Sequence, residues 1–303
     1  MKLKSIQGLF FLSFLTDLNI IKIYSLVEKY EDLNDLQNGE NLSDDFLSNI
    51  LEKSNLSFEK TLFNNISIIP YYDESYPKKL NVLKDKPPLL FIKGNYDSKK
   101  ILINVVGTRS NSEYGSKLTK KVVNLLLDNN FGITSGLALG IDTIAHKTVM
   151  ERENAYTISI LATSLDTIYP KENYGLANEI LNNYGALISE VPIDISLGKR
   201  RFVQRNRIQA ALSEITIPIE LTRTSGTMHT VEFTFKQNKK VIFIKPVNNI
   251  QYIENFNDVI DYLSKKQNRQ NIIIVANSQE LLDAIYEDTK KDTLNQIQQI
   301  FDF

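Results

Sequence analysis

Three arginines, Arg109, Arg205 and Arg207, sit where a phosphate group could be held. Arg109 lies in "GTRS", directly behind the apolar run "ILINVV" (101–106). A glycine at the end of such a run, here Gly107, lets backbone N–H groups approach a ligand. The helix expected next would present its positive N-terminal end to the same place. A dinucleotide loop would read G-x-G-x-x-G, whereas this one reads G-T-R-S-N-S. The loop therefore argues against a nicotinamide or flavin dinucleotide bound in the usual mode. It offers instead a planar cation suited to phosphate.

Three further loops carry related chemistry. In "SGLALGID", Ser135, Gly136 and Gly140 form a tight turn that fits either simple packing or an anion nest. Asp142 can help start the helix that follows. Asp142 and His146 are four residues apart and share a helix face. Ser135 lacks the G-x-S-x-G setting of a nucleophile, so the Asp-His pair reads as structural and no catalytic residue is assigned. In "RFVQRNRIQAAL", Arg205 and Arg207 flank Asn206 at an expected helix start, where two cations repel unless an anion joins them. In "TRTSGTMHTVEF", Ser225 and Gly226 open another helix. The acid-free run "GKRR" adds Lys199, Arg200 and Arg201 as a secondary basic patch. Alone it fits a solvated face, and its place among these loops favours a functional one.

Elements must position these residues, and their pattern is regular. From about residue 66 the chain alternates apolar runs with helical spacing: "ISIIPYY", "LLFIKG", "ILINVV", "FGITSG", "AYTISIL", "GALISEV", "EITIPIEL", "KVIFIKP" and "NIIIVA". Alternation of this kind predicts an extended Rossmann-like, doubly wound, mostly parallel sheet. Ligands are then expected beyond the carboxyl ends of the strands, where all four loops fall. Residues 1–65 read as a small N-terminal helical domain, 66–290 as the Rossmann-like domain, and 291–303 as a C-terminal tail. The opening "MKLKSIQGLFFLSFLTDLNIIKIYSLVEKY" reads as an amphipathic helix, too interrupted to span a bilayer and without a signal cleavage site.

Composition narrows the function classes. The 303 residues carry a net charge of −1, so any nucleic-acid contact must be local. There is no cysteine, and the only histidines are His146 and His229, so neither a disulfide nor a metal site is expected. No cofactor is expected, and the default location is the cytoplasm.

As an ordered set, "VVGTRSNSEYG", "GITSGLALGIDTIAHK", "SLDTIYPKEN", "GALISEVP", "RNRIQAALS" and "SGTMHTVEF" resemble the DNA processing protein A (Smf/DprA) family over roughly residues 66–286. The resemblance implies single-stranded DNA binding without sequence specificity, loading of the RecA recombinase during natural transformation, and a homodimer that acts without catalysis. It implies phosphate contacts from Arg109, Arg205 and Arg207. Backbone or hydroxyl bonds would come from Gly107, Ser135, Gly136, Gly140, Ser225 and Gly226, with Asp142, His146 and Asn206 completing the pocket. Departures from the family pattern fall at Val203-Gln204, Ala162, Ser164 and Lys245-Pro246-Val247, and no winged-helix segment is expected at the C-terminus. A rival likeness is to lysine-decarboxylase-like phosphoribohydrolases, or to a nucleotide-binding sensor of that class. There "TSGTMHTVE" would supply Glu232 as an acid for cleaving a nucleoside monophosphate.

Overall fold

A computed structural model describes residues 1–196, 198–247, 250–266 and 271–301, with side chains to 289. The chain forms two compact units, Met1–Ser98 with Ile158–Ile208, and Lys99–Thr157 with Gln209–Phe303.

The first unit opens with four helices: α1 (Ile6–Leu15), α2 (Ile20–Lys29), α3 (Leu33–Glu40) and α4 (Asp44–Phe63). Each start is set by a side-chain cap, from Ser5, Asn19, Asp32 and Ser43 in turn. These caps satisfy amide groups that the first helical turn leaves unpaired. The expected single amphipathic helix is in fact two. Asp17 and Leu18, both left-handed, break it between Thr16 and Asn19. Helix α1 buries Gly8 through Ser13 without interruption, so it has no polar face to reveal a period.

Phe10 of α1 meets Phe58 of α4 edge-on at 5.4 Å. It also meets Phe91 at 5.8 Å, on strand β2 (Leu89–Gly94). The helices and strands of this unit thus share one core. Strand β1 (Ser67–Pro70) pairs antiparallel with β2, and β2 antiparallel with β6 (Ala186–Ser189). Strand β5 (Thr157–Ile160) runs parallel to β6, with α7 (Tyr174–Asn182) between them in sequence.

The second unit follows the expected winding. Its strands are β3 (Leu102–Gly107), β4 (Gly132–Ser135), β7 (Ile215–Ile219), β8 (Val241–Ile244) and β9 (Ile272–Val275). They lie in the order β4-β3-β7-β8-β9, every pair parallel. Helices α5 (Glu113–Asp128), α6 (Ile141–Met150) and α11 (Ser278–Phe301) pack on one cluster of strand residues, Ile242 among them. Helices α9 (Thr227–Lys236) and α10 (Ile250–Lys266) pack on another cluster with Val241 and Phe243. Successive β8 residues serve opposite faces, as the strand period requires. Burial on both faces explains the unbroken apolar runs. Gln209 of the last helix before β7 donates to Asn104 at 2.7 Å and Asn104 to Thr216 at 3.1 Å, so these buried polar groups are satisfied.

The chain passes from the first unit to the second within α8 (Lys199–Leu212). The tail expected at 291–303 continues the backbone of α11 to Phe301, and its side chains lie outside the described residues. No helix among the described residues is long and apolar enough to cross a membrane.

Candidate nucleic-acid interface

In the second unit, three loops at the carboxyl ends of parallel strands are tied together at Gly107–Arg109. The Thr227 hydroxyl donates to the Gly107 carbonyl at 2.8 Å. The Ile141 amide donates to the Thr108 carbonyl at 3.1 Å. Gly140 takes φ +80°, and a Cβ there would strike the carbonyls of Thr108 and Arg109. A Cβ on Gly107 would meet the Ile219 carbonyl and the Ile141 side chain. These glycines therefore serve the fit of loop on loop, where the sequence suggests room for a ligand. Arg109 stands on this junction and is exposed.

The helix starts around the junction differ. At α5, the Ser112 amide donates to the Glu220 carboxylate at 2.8 Å, and Ser112 Oγ accepts from the Gly115 amide at 3.1 Å. At α6, the Asp142 carboxylate accepts from the amides of Gly136 at 3.1 Å and Ala138 at 3.4 Å. Of the two readings of "SGLALGID", a packed turn or an anion nest, the loop combines both, since its amides hold the protein's own carboxylate. A carboxylate at a helix N-terminus is favoured by the local dipole, so both sites are already neutralised. Helix α9 is different. Its cap residue Gly226 has no side chain to cap with and faces open space, while Ser225 Oγ is buried and not hydrogen-bonded among the described residues. The exposed Arg109 and the start of α9 lie together at this junction.

Ser135 and His146 are fully buried. Ser135 Oγ donates to the Val105 carbonyl at 2.7 Å. Thr157 gives its hydroxyl proton to the Ile133 carbonyl, so His146 Nδ1, 2.9 Å away, donates to Thr157 Oγ1. Neither side chain faces a solvent-borne ligand.

In the first unit, α8 begins at Lys199, so Arg205 and Arg207 lie in its interior and not at its start as the pattern suggests. Arg207 is 2% exposed and bonded to both oxygens of Glu190, at 2.9 and 2.7 Å, and to Asp85 at 2.8 Å. Burial alone would lower its pKa, yet the two carboxylates outweigh that and hold it above the usual arginine range. Its charge is thus matched from within, and the expected phosphate contact from Arg207 does not fit this geometry. Arg205 is also buried, with Nε on Asn206 Oδ1 at 3.0 Å and Nη1 on the Ile160 carbonyl. Arg201 is 8% exposed and paired to Asp17 at 2.9 Å. Lys199 and Arg200 are exposed in the first turn, which contains no acid.

Sequence reasoning missed an aromatic pair. Phe202 of α8 and Tyr169 stack edge-on at 5.3 Å, both reaching solvent beside these cations. The signal was an aromatic placed inside a basic run, the composition of a base-stacking surface.

The sequence profile described as "DNA recombination-mediator protein A" matches residues 67–277. The chain belongs to that family. Among family relatives, DNA processing protein DprA of Streptococcus pneumoniae is 37% identical over 195 residues, which cover 64% of this chain and 67% of the relative. Protein Smf of Escherichia coli is 34% identical over 187 residues, 61% of this chain and 50% of the relative. The chain thus spans about half the length of some curated family members that it matches. The solved structure of the pneumococcal protein superposes with a TM-score of 0.72 at 26% identity, covering 92% of this chain and 97% of that one. DNA processing protein A of Helicobacter pylori, described for its single-stranded DNA binding mode, superposes at 0.61 with 29% identity over 74% and 96%. These matches do not favour the phosphoribohydrolase alternative.

Proposed function

We propose that this chain is a cytoplasmic recombination mediator that binds single-stranded DNA and acts without catalysis. One observation carries the reading: three strand-end loops of the second unit lock together under an exposed Arg109, beside a helix start whose exposed Gly226 faces open space. Arg109 supplies a two-pronged cation for a phosphodiester, and the α9 amides supply partial positive charge beside it. The first unit carries a surface of its own suited to a strand, with Lys199 and Arg200 for phosphates and Phe202 with Tyr169 for bases. Gly107, Gly136, Gly140, Asp142, Ser135 and His146 shape the loops from within. Arg205, Asn206 and Arg207 fix α8. The family likeness further supports RecA loading in DNA uptake and a homodimer, with the helices of residues 1–65 serving protein contacts.

The deciding experiment is a fluorescence-anisotropy titration of labelled oligo-dT, competed by duplex DNA and by mononucleotide. Tight oligo-dT binding that duplex competes poorly, and that Arg109→Ala weakens about tenfold, is expected. Equal binding by Arg109→Ala would remove the site from the reading. Sedimentation equilibrium tests the dimer, and RecA filament assembly on the bound strand tests loading.

A further inference from the structure

A cavity of about 510 Å³ opens in the first unit, between the turn joining α1 to α2 and the first turn of α8. Its charged lining residues are Asp17, Asp85, Lys199, Arg200 and Arg201. Three of these charges are paired inside the protein. Asp17 Oδ1 takes the Arg201 guanidinium, which the Ser196 carbonyl also fixes at 3.0 Å. Asp85 Oδ2 takes Arg207. Lys199 and Arg200 are left without a partner among the described residues, so the cavity presents two unpaired cations, with Asp85 sharing Arg207 with Glu190. Each aspartate also keeps an oxygen that accepts no hydrogen bond among the described residues. The cavity thus combines cations with carboxylate acceptors.

We propose that this cavity binds a nucleoside monophosphate group, with Lys199 and Arg200 on the phosphate and the free oxygens of Asp17 and Asp85 accepting from base amino groups. A phosphate monoester carries close to two negative charges at neutral pH, against one for the diester within a strand. It therefore matches the two unpaired cations better than an internal phosphate does. The volume suits a ligand of this size. Carboxylates repel the phosphate and accept from amino groups, which orients the ligand. The group belongs to the 5′-phosphorylated end of a DNA strand or to a free nucleotide. The strand-end form rests on the single-strand function proposed above, and the site itself does not.

The test uses the full chain with three probes: a 5′-phosphorylated oligo-dA, the same oligo with a 5′-hydroxyl, and dAMP measured by calorimetry. Two variants accompany the wild type. One is Lys199→Gln with Arg200→Gln. The other is Ile21→Trp, which fills the cavity from an exposed lining position without altering charge. For a strand end, the phosphorylated oligo binds about tenfold tighter than the hydroxyl oligo. Ile21→Trp then abolishes that difference and leaves the affinity for the hydroxyl oligo unchanged. For a free nucleotide, the two oligos bind alike, dAMP binds, and both variants lose it. Equal oligo affinities with no dAMP heat, or a preference that survives Ile21→Trp, overturns the proposal. Failure of both oligos to bind would count against the single-strand function alone, and dAMP binding would still decide the site.

Discussion

Arg109 reaches solvent at a junction of three loops, whereas Arg207 lies buried between Glu190 and Asp85. The two residues should answer mutation in opposite ways. Arg109→Ala is expected to weaken strand binding with an unchanged thermal midpoint, since an exposed side chain contributes little to folding. Arg207→Ala leaves Glu190 buried without its counter-charge and should cost about 3–5 kcal/mol in urea unfolding. The paired change Arg207→Met with Glu190→Gln should recover part of that loss. The candidate residues were legible as types and not as roles. "RNR" shows three polar residues in a row, and nothing local says which one turns inward. The partners that decide it lie 17 and 122 residues away in sequence. The same holds for Glu220, which reaches Ser112 across 108 residues to cap a helix. Burial also acts on tyrosines, pushing the Tyr24 and Tyr76 phenols up. The folded state keeps these groups neutral, so their contribution is complete below about pH 10, where free phenols titrate, and is lost above it as the unfolded chain ionises first. The urea midpoint of the wild type should fall more between pH 9 and 11 than that of Tyr24→Phe.

At the scale of elements, glycines divide by what surrounds them. Gly140 has φ +80° and carbonyls where a Cβ would go, while Gly226 has φ −59° and open space. Gly140→Ala should cost about 1–3 kcal/mol and weaken strand binding, because it pushes Arg109 off its seat. Gly226→Ala should change stability by less than about 0.5 kcal/mol. Denaturation midpoints and the oligo-dT titration check both. The strands of the second unit are plain in the sequence because most of them are buried on both faces and so read as largely apolar runs. The start of helix α8 is not legible in the sequence, since "GKRRF" lacks a Ser, Thr, Asp or Asn cap and carries cations where acids are usual. Helices α1 and α2 read as one in the sequence because the break falls on Asp17-Leu18, a left-handed pair that no glycine announces.

At the scale of the whole molecule, a net charge of −1 means that any strand is held by a local field on a nearly neutral body. Affinity for oligo-dT should then fall linearly in log–log form with salt, at about −0.7 per phosphate contacted. A titration from 50 to 300 mM NaCl counts those contacts directly. A slope near zero would mean that charge does not hold the strand. The carboxylates of Asp142 and Glu220 bear on the same encounter in another way. Each gives a loop its hydrogen bonds before any DNA arrives, so these loops have little disorder to surrender on binding. A receptor of this kind is preorganised: capture should proceed in a single kinetic phase limited by diffusion and steering, with no slow rearrangement behind it.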